Sequence, residues 1–183
     1  MNPSSQNSVK DILKLGIVLG TIAFFIALML GTVNSVTAPV IAKNAAEQER
    51  QAFSTLFPEA TRFREVHYEA TPPVASVDLA YKDDELLGAV VTAHPSGYGG
   101  EMELMVGFDR ALCVTGIRFI SIQETVGIGM RVTEESYLKQ YLGLSEFSEI
   151  NAVTGASVSS KAVKSGVEAA SQAASSTLER EGQ

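Results

Sequence analysis

The run from Leu15 to Val36, LGIVLGTIAFFIALMLGTVNSV, decides how the rest of the chain is read. It carries no ionisable residue, and the whole stretch between Lys14 and Lys43 is free of charge. About 20 apolar residues in a helix cross a bilayer core, so this run is long enough to span one. A cleaved signal peptide is the rival reading, because Lys10 and Lys14 precede the run and Val36-Thr37-Ala38 imitates a cleavage site. Against it stand an apolar run longer than the ~7–15 residues of a signal core and Pro39 just after the would-be cut. We therefore read a retained single-pass helix over 15–36. Lys10 and Lys14 crowd one end, whereas Lys43 and Arg50 at the other are mixed with Glu47 and Glu49. That bias puts residues 1–14 in the cytoplasm and the bulk of the chain on the extracytoplasmic side of the cell membrane, with lipid as a first partner. Gly16 and Gly20 are spaced for close approach of another helix, a spacing that also arises by chance in a glycine-rich span.

Setting the span aside leaves about 140 residues, enough for one domain. The 183-residue chain is 45% hydrophobic but only 7% aromatic and has no Trp, because its apolar excess is aliphatic and concentrated in the span. A net charge of -7 supplies no basic footprint for nucleic acid. One cysteine, Cys113, and two histidines, His67 and His94, build neither a disulfide framework nor a Cys/His zinc site, so no metal is expected. Chemistry then falls to an imported cofactor or to carboxylates and hydroxyls.

Outward from the span, residues 37–60 read as a juxtamembrane helical stalk, with Asn44–Phe57 continuing or restarting a helix after Pro39 and Pro58 ending it. Residues 61–183 form the extracytoplasmic domain. Pro72-Pro73 marks a loop, after which Ser76–Lys82 and Leu86–His94 alternate in polarity across the turn Asp83-Asp84-Glu85, a hairpin. Glu101–Asp109 places Met102, Leu104 and Val106 on one face and Glu101 and Glu103 on the other, and Leu112–Ile122 completes a second hairpin with Cys113 as a buried strand residue. Thr133–Leu142 reads as a short helix capped by Thr133, and Val158–Arg180 as a helix with an apolar stripe at Val163, Val167, Ala170, Ala174 and Leu178. The fold class is α+β: one transmembrane helix, then a mainly antiparallel sheet with flanking helices.

Three segments interrupt these elements. His94–Gly100 (HPSGYGG) and Gln123–Gly129 (QETVGIG) are glycine-containing loops, and Asn151–Ser157 (NAVTGAS) leads into the last helix. Glycines there serve tight turns or let backbone approach a flat ligand, and spacing alone favours neither. A hydroxyl-bearing turn at a helix N-terminus presents free N–H groups suited to phosphate, although Ser157 as a plain N-cap and Gly155 as a turn residue account for the same letters. The Gly-Lys-Ser/Thr ending of a P-loop is absent.

Thr154-Gly155-Ala156-Ser157-Val158-Ser159-Ser160 resembles the flavinylation motif of FMN-binding domains in the G-subunit of Rnf-type electron transport complexes and the C-subunit of the Na⁺-translocating NADH:quinone reductase. Gly97-Tyr98-Gly99-Gly100 with the following strand, and Glu124-Thr125-Val126-Gly127-Ile128-Gly129, resemble that family's Gly-Tyr-Gly-Gly and Glu-Thr-Pro-Gly-Leu-Gly signatures in the same order. The resemblance implies covalent FMN, linked by a phosphoester to Ser157 and installed from FAD by a flavin transferase. It makes Thr154, Gly155 and Ala156 the shaping residues of the attachment turn. Glu124, Thr125, Gly127 and Gly129 would lie by the isoalloxazine, and Tyr98 would border the same cleft. It further implies an electron carrier without a catalytic residue of its own, in a membrane complex that couples ferredoxin/NAD⁺ electron flow to Na⁺ or H⁺ translocation, with the other subunits as partners. A membrane-anchored FMN-binding redox sensor and a flavin-free structural assembly subunit are the alternatives. The chain departs from the family pattern with Ser157 in place of the usual Thr, Asn151 in place of an Asp six residues earlier, and Val126 in place of the loop proline.

Overall fold

The computed structural model describes residues 3–69 and 71–181; residues 1 and 2 of the expected N-terminal segment and the last two of the expected domain lie outside the described residues. The chain divides into two compact units, Met1–Ala46 and Glu47–Gln183.

Helix α1 runs over Pro3–Leu56, with Pro39 inside it, so of the two expected outcomes at this proline the helix continues. Its stretch from Ile12 is long and apolar enough to cross a membrane. In the first unit Leu15, Ile17, Leu19, Phe24, Phe25, Leu28 and Met29 are all exposed, an apolar surface on every side that suits lipid rather than a protein core. The span's hydroxyls are satisfied within the helix: Thr21 Oγ1 donates to the Ile17 carbonyl and Thr32 Oγ1 to that of Met29, each at 2.8 Å. No water is needed to solvate them.

In the second unit β1 (Arg62–Val66), β2 (Val74–Lys82), β3 (Glu85–Ala93), β4 (Met102–Asp109) and β5 (Val114–Ile122) form an antiparallel meander in the order β1-β2-β3-β4-β5. Alternation sorts the strand residues onto two faces. Val77, Leu79, Val91, Leu104, Val106 and Phe108 pack with Val163, Val167, Ala170 and Ala174 of the last helix (Ser157–Glu181, α3 in chain order), the stripe expected for this helix. Ala80, Val90 and Met105 face the other way and bury Ala52, Leu56 and Phe57 from the end of α1 and the residue after it. The sheet is thus covered on both faces, which accounts for the nearly unbroken burial of β3 and β4.

Gly88 allows one close contact in this sheet: a Cβ there would lie 2.0 Å from the Phe108 carbonyl oxygen. Backbone cannot yield as a side chain can, so Gly88→Ala is expected to destabilise the domain by about 3 kcal/mol. Thermal unfolding of the detergent-solubilised chain tests this; an unchanged midpoint would refute the contact.

Three elements differ from expectation. Strand β1 was not anticipated; Arg62, Arg64 and Glu65 are exposed on an edge strand, where charge guards against further pairing and hides the alternation. β5 begins at Val114 because Leu112 turns the chain with φ +63 and the Asp109 carboxylate accepts the N–H groups of Ala111 and Cys113 at 2.8 and 2.9 Å. Cys113 is therefore a half-buried turn residue, not a buried strand residue. The expected helix over Thr133–Leu142 is broken into a 3-10 turn Gly129–Thr133, a single α-turn α2 (Glu135–Leu138) and a second 3-10 turn Lys139–Tyr141. Thr133 does not cap α2, since its hydroxyl bonds back to the Met130 carbonyl.

Candidate functional site

After β5, Gln123 N–H bonds the Glu101 carbonyl at 3.1 Å and delivers Glu124 beneath the Gly97–Gly100 loop. The Glu124 carboxylate accepts the N–H groups of Tyr98 at 2.9 Å, Gly99 at 3.0 Å and Thr125 at 3.3 Å, and the hydroxyl of Ser159 in the first turn of α3 lies close enough to favour its charged form. Partial desolvation pushes its pKa up, but the Ser159 hydroxyl and the three backbone groups outweigh that and hold the carboxyl below the usual range. The glycines serve this carboxylate. A Cβ at Gly97 would fall 1.9 Å from Glu124 Oε1, one at Gly129 2.3 Å from Oε2, and one at Gly99 2.9 Å from the Glu124 Cα. Of the motif glycines, Gly127 and Gly155 alone take positive φ, +82 and +86.

The Gly97–Gly100 loop closes on itself through Gly97 N–H to the Gly100 carbonyl, and Pro95 beside it lies against Gly166 of α3. The turn before α3 is anchored at both ends. Gln140 brackets the Asn151 backbone, donating to its carbonyl and accepting its N–H, and Val153 N–H donates to Ser160 Oγ at 3.0 Å. Tyr137 OH donates to the Ser160 carbonyl and shares a 2.8 Å bond with Tyr141 OH, and burial raises both phenols' pKa values, so they stay protonated.

Where these segments meet lies a cavity of about 310 Å³, lined by Tyr98, Thr125, Ile128, Gly129, Gly155, Ala156, Ser157, Val158 and Ser159. Its volume falls in the range of small-molecule sites. The rim is apolar and open: Tyr98, Ile128 and Val158 are all exposed, Tyr98 by 77%. Ser157, the first residue of α3, is exposed on its wall, whereas Ser159 and Ser160 are 1% and 2% exposed, Ser160 with its Oγ holding the Val153 N–H. A smaller cavity of about 130 Å³, lined in part by Lys161 and Lys164, touches Ser157 from the other side. A larger one, about 510 Å³, lies between Leu56, Arg118, Glu135 and Lys139, and none of the three loops lines it.

Of the site residues expected from sequence, Tyr98, Thr125, Gly129, Gly155, Ala156 and Ser157 line the 310 Å³ cavity together. Glu124 does not line it; it sits behind and joins its walls. Thr154 does not line it either, its carbonyl being held by Arg131, and Gly127 lies at an exposed loop tip. Sequence reasoning missed Arg131, whose Nη1 donates to that Thr154 carbonyl at 3.1 Å while Nε donates to Glu134 at 3.2 Å. Its only mark in the sequence is that it is the sole cation between Arg118 and Lys139. His94 lies 3.4 Å from Glu101 and 3.9 Å from Glu103.

Comparison with known proteins adds to this geometry. A family model described as FMN-binding domain matches residues 97–172, and one described as RnfG N-terminal region matches residues 1–56. The G-subunit of the Na⁺-translocating ferredoxin:NAD⁺ oxidoreductase complex of Acetobacterium woodii is 30% identical, over 86% of this chain and 89% of the relative. The G-subunit of the proton-translocating ferredoxin:NAD⁺ oxidoreductase complex of Clostridium ljungdahlii is 28% identical, over 90% and 91%. The crystal structure of Shewanella oneidensis NqrC superimposes with a TM-score of 0.51 at 18% identity, over 68% of this chain and 73% of that one, a likeness of fold.

Proposed function

The chain belongs to the G-subunit family of ion-translocating oxidoreductase complexes, and from that premise we propose that it is an electron-transfer subunit carrying one FMN on Ser157. The observation that carries the reading is the exposed Ser157 hydroxyl at the start of a 25-residue helix, on the wall of a cavity assembled from all three glycine-containing segments. The residues fit the group. Free N–H groups and the dipole at the helix start suit a phosphate, while Tyr98, Ile128 and Val158 offer apolar surface to a flat ring. Bound there, the flavin supplies one- or two-electron chemistry.

The chain's own residues hold and orient. Glu124 fixes the two glycine loops against α3; Thr125, Gly129, Gly155 and Ala156 shape the cleft, with Thr154 and Gly127 completing the two turns. Esterification exchanges the phosphoanhydride of FAD for an Oγ–P bond at Ser157, releasing AMP, and calls for a flavin transferase as a maturation partner. Ser157 is an anchor and takes no part in turnover. A tether suits a domain on the extracytoplasmic side, where lost flavin would be diluted beyond recapture. In this reading residues 15–36 span the lipid, 37–60 form the stalk and 61–183 the flavin domain. Nicotinamide and ferredoxin sites belong to other subunits, consistent with a sequence lacking both a Gly-x-Gly-x-x-Gly fingerprint and a cysteine cluster. The complex would couple ferredoxin/NAD⁺ electron flow to Na⁺ or H⁺ movement.

Coexpression with a competent flavin transferase, followed by denaturing electrophoresis, tests the tether. A band fluorescent under ultraviolet light at the mass of the chain is expected. A dark band with flavin released into solution would overturn the tether in favour of non-covalent FMN, and a dark band with none released would leave an assembly subunit.

A further inference from the structure

Around the cavity, the wall that follows β5 and the wall that carries Ser157 come from segments more than 20 residues apart in sequence, joined through Arg131 Nη1 and the Thr154 carbonyl, 23 residues away. We propose that Arg131 is a positioning residue for flavin attachment, its guanidinium fork pinning the 151–157 turn to the 3-10 turn after β5 and so fixing where Ser157 presents its hydroxyl. The inference rests on the reading of Ser157 as the flavin anchor.

The geometry uses the shape of arginine. Nε is held by Glu134 at 3.2 Å and Nη1 by Thr154 at 3.1 Å, so one planar group spans a carboxylate and a carbonyl. A lysine ammonium is a point charge on a flexible stem and does not reproduce a two-pronged span. The Thr154 carbonyl immediately precedes Gly155, whose φ of +86 turns the chain into α3. Losing its partner frees the peptide that sets this turn. Elsewhere the segment is held at Asn151 by Gln140 and at Val153 by Ser160, so Thr154 and Gly155 are the stretch that Arg131 alone ties to the opposite wall among the described residues. Arg131 itself is half-exposed and outside the packed core, so its replacement leaves the fold in place.

The test compares full-length wild-type chain with Arg131→Gln, Arg131→Lys and Lys161→Gln, the last a cation one helical turn beyond Ser157. Amide hydrogen exchange across 151–158 before flavin attachment should quicken about tenfold in Arg131→Gln and Arg131→Lys and stay unchanged in Lys161→Gln. Flavinylation kinetics with purified transferase and FAD should show kcat/KM for the chain falling at least tenfold in both Arg131 variants, with thermal midpoints within about 2 °C of wild type. Unchanged exchange in the Arg131 variants, full rescue by lysine, or exchange quickened equally in Lys161→Gln would overturn the proposal. Wild-type chain that takes up no flavin would instead defeat the anchor reading, and the exchange measurement would still decide whether Arg131 holds the turn.

Discussion

Ser157→Ala is expected to abolish covalent flavin, leaving no fluorescent band after coexpression with the transferase, while the thermal midpoint of the flavin-free chain stays within about 2 °C of wild type. Both halves follow from position. The side chain is exposed and makes no hydrogen bond among the described residues, and exposed substitutions of that kind usually change stability by under about 0.5 kcal/mol. The neighbouring hydroxyls are no substitutes: Ser159 lies buried on Glu124, and Ser160 is buried with its Oγ holding the Val153 N–H. To react, either would have to leave the first turn of α3 and abandon a buried partner. Ser157→Thr, which keeps a hydroxyl at the same place, should stay fluorescent because Ser157 is exposed and outside the packed core. Fluorescence retained by Ser157→Ala would show that the helix start opens far enough to offer Ser159 or Ser160, and the rigid-turn account would fail with it.

What could be read from the sequence was what leaves a periodic mark. The charge-free run from Leu15, the alternation of Ser76–Lys82 and Glu101–Asp109, and the stripe from Val163 to Leu178 each correspond to an element with one environment along its length. β1 left none, because an edge strand of five residues carries Arg62, Arg64 and Glu65 to water. The segment 129–142 holds enough acidic and apolar residues for a helix, yet Val132, Tyr137 and Tyr141 all have to reach the core, and short turns of different pitch do that where one straight helix does not. At the site, the motif glycines were visible but their purpose was not. Spacing shows that backbone comes close to something; it does not show that the something is the carboxylate of Glu124. Arg131 was hidden for a related reason, since its partner in the attachment turn is a main-chain carbonyl, identical at every residue.

Glu124 is the position where substitution should damage the site most without touching flavin. Glu124→Ala removes the acceptor for Tyr98, Gly99 and Thr125 N–H, and leaves the space between Gly97, Gly99 and Gly129 unfilled. Charge-assisted bonds of this kind are each worth about 1.5–3 kcal/mol when lost from a buried setting. Glu124 is half-buried and partly screened, so a total near ~2 kcal/mol is expected. Glu124→Gln should recover only part of it, because its amide brings two N–H donors to a place crowded with donors. The pH dependence separates the charge from the shape. The folded-state pKa lies below the ordinary value of 4.5, so the folded carboxyl binds protons less readily than the unfolded one. Its stabilisation is complete above that ordinary value and is lost as pH falls through the lower folded value. The gap in thermal midpoint between wild type and Glu124→Gln should therefore be constant at pH values well above the ordinary 4.5 and narrow as the pH falls below it. A gap that persists undiminished far below pH 4.5 would mean that Glu124 acts through its shape alone, and the three loops would then have to be joined by packing rather than by a shared negative charge.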